Sequence, residues 1–120
     1  MVQLATERNA SAVREGRVAL HHGSALALPY QSEPFDKVLA VNSLHHWSEP
    51  LAGLREVRRV LMPGGCVVII EQPRSATTED GLQKLTQELA GQLAQAGFRD
   101  IRTEFKSMRP AASVAVIGVK

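Results

Sequence analysis

The 120-residue sequence predicts an α/β fold, with a three-layer, mostly parallel sheet of about five strands that ends in an antiparallel hairpin. Two observations predict this class. Residues 38–41 and 66–70 are uninterrupted apolar runs, which are typical of strands covered on both faces in a parallel sheet. Between them, residues 51–61 carry apolar side chains at helical spacing. A strand, a helix and a strand with short links form a right-handed crossover unit.

Composition excludes several classes of protein. The chain is 44% apolar and 22% charged, with a formal net charge of +2, which suits one folded domain over residues 1–120. A single cysteine excludes a disulfide framework and a cysteine-based zinc site. No apolar run approaches the roughly 20 residues that span a bilayer, and the basic residues are dispersed. We therefore expect a cytoplasmic protein with neither a membrane nor a nucleic acid as partner.

One helix and one strand are predicted before the crossover unit. Residues 1–15 have a loose apolar periodicity and precede Gly16, a residue type that commonly ends helices. Residues 18–22 place Val18, Leu20 and His22 on one face and are predicted to form a strand. A loop at residues 25–34 then leads into a strand at residues 35–41.

The helix limits follow from capping residues. Ser48 is predicted to cap the crossover helix, and Pro63-Gly64-Gly65 to end it. A third helix is predicted to begin after Thr77 or Thr78 and to end at Gly97.

The last two strands follow this helix. Residues 101–106 alternate apolar and polar side chains, whereas residues 113–119 are mostly apolar. Because the two strands are close in sequence, we expect them to pair in the antiparallel direction.

Three stretches follow one another in a characteristic order, namely Pro34-Phe35-Asp36-Lys37-Val38, Asn42-Ser43-Leu44-His45-His46-Trp47, and a helix that ends in Arg59-Val60-Leu61-Met62-Pro63-Gly64-Gly65. Together they resemble the class I S-adenosylmethionine-dependent methyltransferases, in their type-11 small-molecule branch. The resemblance implies a Rossmann-like fold with strand order three, two, one, four, five, seven, six. It also implies S-adenosylmethionine as cofactor and a small molecule as methyl acceptor.

The sequence departs from this family at the cofactor site. The family binds the cofactor with a Gly-x-Gly-x-Gly loop and an acidic residue that ends the second strand, whereas these 120 residues contain no Gly-x-Gly. Ser24 stands where the family usually has an Asp beside the adenine. We therefore expect an N-terminally truncated fold whose cofactor binding is impaired or lost in the isolated chain. The sequence leaves open whether this chain is an enzyme, a non-enzymatic dimeric binding module or one half of a split methyltransferase.

The resemblance implies two sets of site residues at the carboxyl ends of the strands. The residues expected to face the cofactor are Ser24, Ala25, Asn42, Ser43, Leu44 and Trp47. The residues expected to act near the substrate, a histidine serving as general base, are His45, His46 and Glu71. The alternative for residues 45–47 is loop packing with exposed imidazoles. We expect no metal, because the histidine pairs have no acidic or cysteine partner at ligand spacing.

The strand at residues 38–41 is predicted to lie at an edge of the sheet, because the family's first two strands are missing from the sequence. A long apolar edge strand promotes aggregation unless something covers it. We expect a homodimer through this edge or its flanking apolar surface or, alternatively, that the strand at residues 18–22 moves over to pair with residues 37–42.

Overall fold

The computed structural model describes residues 2–73, 78–106 and 112–120. The elements within them are α1 (Val2–Arg8), α2 (Ala10–Arg14), β1 (Phe35–Val41), a 3-10 turn (Leu44–His46), α3 (Pro50–Val60), β2 (Leu61–Glu71), α4 (Glu79–Gln95), β3 (Arg99–Lys106) and β4 (Ser113–Val119). Among these elements, no helix is both long enough and apolar enough to cross a membrane.

The sheet has the strand order β1-β2-β4-β3. Strands β1 and β2 are parallel, whereas β2–β4 and β4–β3 are antiparallel. The predicted α/β class and the C-terminal antiparallel hairpin are therefore confirmed, and so is the position of β1 at an edge. The described sheet contains a single parallel pair, which corrects the prediction of a mostly parallel sheet.

The prediction of a strand at residues 18–22 is wrong. Residues 18–23 have no regular secondary structure, so the described sheet has four strands and not about five. The alternative that this segment pairs with residues 37–42 is wrong as well. A strand is stable only when its backbone groups find a hydrogen-bonding neighbour, and the alternating pattern of this segment supplies none.

The helices differ from the predicted ones in three places: the first is divided, and α3 begins after Glu49 and ends at Val60, before Pro63-Gly64-Gly65. The predicted helix at residues 1–15 divides at Asn9, whose side-chain amide donates to the carbonyl of Ala5 at 2.8 Å. Glu49, and not Ser48, occupies the N-cap position of α3 without a side-chain capping hydrogen bond, and Pro50 occupies the first turn. The hydroxyl of Thr78 accepts from the Gly81 amide at 3.1 Å and caps α4 as predicted, while Thr77 lies outside the described residues.

One face of the sheet carries the hydrophobic core. The buried side chains come from the sheet, from α3 and from α4, and they include Ala40, Leu54, Val57, Val67, Ile69, Leu89, Leu93, Val114 and Val116. Helices α1 and α2 contribute no buried residue. The packed part of the described structure therefore has two layers, where the sequence predicted three.

A close backbone junction near the start of β2 fixes the register of β2 with β1. Phe35 pairs with Leu61 but Lys37 pairs with Cys66, so three extra residues of β2 bulge out between these pairs. Gly64 has a φ of 83°, and a Cβ on Gly65 would lie 2.9 Å from the carbonyl oxygens of Asp36 and Met62. Only glycine fits at position 65, because both neighbouring atoms belong to the backbone.

Candidate functional site

Asn42 joins the carboxyl ends of β1 and β2. Its amide donates to the carbonyl of Ile70 at 2.8 Å, and its side-chain Oδ1 accepts from the Gln72 amide at 2.7 Å. Its φ is 49°, in the left-handed region that asparagine tolerates better than most residues. This turn directs the segment after β1 across the carboxyl edge of the sheet, where open α/β sheets bind ligands.

His45 and Glu71 form a hydrogen-bonded pair at this edge. His45 Nδ1 lies 2.9 Å from Glu71 Oε2. Glu71 is only 5% exposed, whereas the side chain of His45 is 56% exposed. Because an ionised carboxylate only accepts hydrogen bonds, a neutral His45 paired with ionised Glu71 carries its proton on Nδ1 and its lone pair on Nε2.

The second oxygen of Glu71 is unusual. Oε1 is buried and has no hydrogen-bond donor among the described residues. Leaving a buried acceptor unpaired costs about 1–3 kcal/mol. Buried polar groups in that condition are rare and frequently have a functional role. Core packing alone therefore does not explain why position 71 holds a carboxylate.

Trp47, Ser43 and Leu44 hold the 3-10 turn in place. The indole Nε1–H of Trp47 donates to Ser43 Oγ at 2.9 Å. A Cβ on Gly53 would lie 2.6 Å from the Trp47 ring, so the indole rests against the backbone of α3. Leu44 is buried in the core. Trp47 and Leu44 therefore hold this turn against α3 and the core. The two histidine rings are exposed, with their centroids 3.9 Å apart.

Ser24 and Ala25 lie in a separate turn before β1. The Ser24 carbonyl accepts from the Ala27 amide at 3.1 Å, and the Ser24 hydroxyl accepts from the Leu26 amide at 3.2 Å. The hydrogen bonds of Ser24 within the described structure are thus local to this turn. Hydrogen bonds join His45 to Glu71, Trp47 to Ser43, and Asn42 to the residue after Glu71, whereas those described for Ser24 stay within its own turn.

An ion pair on α3 anchors the segment that follows this turn. Arg59 donates to Glu56 at 2.6 Å, and the other partner of Glu56 is the Leu28 amide at 3.0 Å. The hydrogen bonds from Arg59, with a smaller contribution from Leu28, hold the pKa of Glu56 below its ordinary value. The same pair raises the pKa of Arg59. Glu56 and Arg59 have the spacing of a helical ion pair, but the bond to Leu28 joins residues 28 positions apart and is not predictable from the sequence.

The pairing of His45 with Glu71 is also missed from the sequence. The two residues are 26 positions apart, and the sequence marks Glu71 only as an acidic residue at the correct end of its strand. The available signal is their shared position after neighbouring parallel strands. Among the described residues, no group of three His, Cys, Asp or Glu side chains is arranged to hold a metal ion.

Comparison with known sequences gives one family. A profile described as a methyltransferase domain matches residues 1–69. An uncharacterized methyltransferase, YdaC of Bacillus subtilis, is 31% identical over the whole of this chain, which covers 65% of that protein. A 27-O-demethylrifamycin SV methyltransferase of Amycolatopsis mediterranei is 39% identical over 53% of this chain and 24% of that protein. The chain thus spans less than two thirds of the length of these relatives.

Comparison with solved structures agrees on the fold. The [4+2]-cyclase SpnF superposes with a TM-score of 0.76 at 22% identity, over 99% of this chain and 62% of that one. At this level of identity the match shows the fold and not the activity, which depends on the residues of the site.

Proposed function

Because this chain belongs to the methyltransferase-domain family, we propose that it takes part in the transfer of a methyl group from S-adenosylmethionine to a small-molecule acceptor. The observation that carries this proposal is the His45–Glu71 pair at the carboxyl edge of β1 and β2. The relative that acts on demethylrifamycin SV supports a small organic acceptor.

The residues present fit part of this cofactor. Asn42, Ser43 and Leu44 follow β1, the position that would face the methionine portion. The groups that would bind its carboxylate and ribose are not among these 120 residues, which contain no Gly-x-Gly. We therefore propose that the isolated chain binds S-adenosylmethionine weakly. When bound, the cofactor supplies an activated methyl group on a positively charged sulfur.

The role proposed for His45 is that of a general base. Its Nε2 would accept the proton of an acceptor hydroxyl or amine, and the buried carboxylate of Glu71 would orient the ring and stabilise the resulting imidazolium. A positioned general base contributes about 10²–10⁴-fold to a rate. His46, in ring contact with His45, would help to shape the acceptor side of the site.

Nitrogen NMR of the histidine rings tests this arrangement. We expect His45 in the wild-type chain to carry its neutral-state proton on Nδ1, and to lose that preference in Glu71→Leu, which removes the acceptor without leaving a large cavity. His22, an exposed imidazole in the segment before β1, should keep its spectrum in both proteins. A wild-type His45 with its proton on Nε2 would contradict the proposed role.

A kinetic test separates the base from the binding residues. In any preparation where this chain supports methyl transfer, His45→Gln should lower kcat by about 10²–10⁴-fold and leave the affinity for S-adenosylhomocysteine unchanged. His21→Gln is the matched control, because His21 contacts Tyr30 in the segment before β1. An unchanged kcat in His45→Gln would remove the base from the proposal.

Titration calorimetry with S-adenosylhomocysteine tests the cofactor proposal separately. We expect a dissociation constant of about 1 mM or weaker for the isolated chain. Micromolar binding would show that these 120 residues hold a complete cofactor site.

A second candidate is one half of a split methyltransferase. The absence of Gly-x-Gly from these 120 residues favours it, because another polypeptide would then supply the glycine-rich unit. Tight binding of S-adenosylhomocysteine that appears only after a glycine-rich strand–loop–helix polypeptide is added would support this candidate. Unchanged weak binding in that mixture would count against it.

A further inference from the structure

The open edge of β1 combines backbone and side-chain features that favour pairing. No described strand pairs with β1 on the side away from β2. Leu39 is 62% exposed and Val41 is 51% exposed, although both belong to a regular strand. The strand contains no proline, and its charged residues, Asp36 and Lys37, lie at its start. Features that commonly protect an edge strand are therefore missing from residues 38–41.

The direction of the backbone groups follows from one hydrogen bond. The Asn42 amide donates to Ile70 in β2, so the C=O of Val41, on the opposite side of the same trans peptide unit, points away from β2. Successive residues of a strand direct their N–H and C=O groups to alternate sides, and the pairing of β1 with β2 is regular from Lys37 to Val41. The N–H and C=O groups of Lys37, Leu39 and Val41 therefore point to the open edge.

We propose that this edge pairs in the antiparallel direction with β1 of a second copy of the chain. In a register centred on Leu39, Leu39 lies opposite its own copy and Lys37 lies opposite Val41 of the second copy. This register joins all the edge-directed groups of the three residues in six hydrogen bonds. It also places Leu39 against its copy and sets no like charges opposite each other.

A two-fold axis makes this interface self-complementary, since the same three residues supply donors and acceptors on both sides. The result is one continuous sheet of eight described strands with a β3 edge at each end. In this dimer the edge-directed N–H and C=O groups of β1 in one copy pair with the same groups of β1 in the other. The proposal concerns the 120-residue chain by itself and does not rest on methyl transfer. In the split-methyltransferase candidate, the strand of the glycine-rich polypeptide would take the same edge of β1 in place of the second copy.

Sedimentation velocity of the 120-residue chain, from micromolar to millimolar concentration, tests the proposal. We expect the wild type to pass from monomer to dimer, and Leu39→Lys to remain monomeric at every concentration. The matched control is Phe105→Lys, because Phe105 is 59% exposed on β3 at the opposite edge of the sheet. That variant should dimerise like the wild type.

Circular dichroism keeps the comparison valid by showing that both variants retain the wild-type fold, as expected for substitutions at exposed positions. The proposal is overturned by a wild type that stays monomeric up to millimolar concentration. It is equally overturned by a Leu39→Lys variant that dimerises as well as the wild type, or by assembly into larger species that has no dimer plateau.

Discussion

The two edges of this sheet, β1 and β3, differ in how they are protected. Five of the eight residues of β3 are charged, namely Arg99, Asp100, Arg102, Glu104 and Lys106. In β1 the charged residues are confined to two of seven positions, both near its start. The β3 edge is also irregular, since its pairing shifts between Arg99 and Arg102 and Asp100 has a φ of 50°. Charge and irregularity both discourage the addition of another strand, so the β3 edge is protected against such pairing and the β1 edge is not.

Exposure alone does not distinguish these edges. Phe105 on β3 and Leu39 on β1 are exposed to nearly the same extent, 59% and 62%. Phe105, however, lies between Glu104 and Lys106, whereas Leu39 lies between Val38 and Ala40. A single exposed apolar side chain among charges is ordinary, while an apolar run with open backbone groups invites a partner. Whether an exposed apolar residue favours pairing with another strand therefore depends on its neighbours in the strand.

The largest predicted effect comes from proline scanning of β1. Ala40→Pro should lower the free energy of unfolding by about 3 kcal/mol, because it removes an N–H directed at β2 and crowds a buried position. Leu39→Pro should cost about 1 kcal/mol or less, because its N–H points to the open edge. Urea unfolding at low concentration measures both. Equal losses would contradict the backbone directions assigned to β1.

The next effect concerns the junction that holds β1 to β2. Gly65→Ala should cost about 1–3 kcal/mol, because its Cβ would meet two backbone oxygens at 2.9 Å. The matched control is Gly91→Ala in α4, where a Cβ meets nothing within 4 Å and helix propensity predicts a gain of about 1 kcal/mol. Thermal unfolding compares the two. A neutral Gly65→Ala would mean that the junction between β1 and β2 is looser than these distances indicate.

The smallest effect concerns the segment before β1. Glu56 has a lowered pKa in the folded chain, so its ionised form stabilises the fold above its ordinary pKa of 4.5. That contribution is lost as pH falls through the lower, folded-state pKa. Glu56→Gln should therefore reduce the melting temperature by a few degrees at pH 7 and by less in acid.

Glu104→Gln on the charged β3 edge is the control for this effect, because Glu104 is exposed and its substitution should hardly change the melting temperature. A gap between wild type and Glu56→Gln that widens as pH falls would contradict a stabilising role for the ionised Glu56 carboxylate.

Much of this fold is predictable because it depends on local pattern. The apolar runs of β1 and β2, the stripe of α3 and the Thr78 cap of α4 each need only neighbouring residues. Residues 18–22 show the limit of such patterns, because alternation suits a strand but supplies no partner for its hydrogen bonds. The bulge of β2 before Gly65 escapes prediction for the same reason, since it depends on how closely Asp36 approaches.

The candidate site also has a part that is predictable from local pattern and a part that is not. Asn42, Ser43 and Glu71 are predicted at the carboxyl edge from their places after apolar strands, and the structure brings them there. The pairing of His45 with Glu71 is not predicted, because it requires the register of β1 on β2 and the path of the turn through Asn42. Ser24 and Ala25, assigned to the same site by resemblance, lie in a separate turn within the described structure.

The sequence by itself determined the class, the crossover unit and the family, because hydrophobic period and motif order are properties of the chain. Only the tertiary structure decided that His45 meets a buried carboxylate, that Ser24 bonds within its own turn and that β1 has a free side. These facts depend on which distant backbone and side-chain groups come within about 3 Å of one another, a distance that no periodicity encodes.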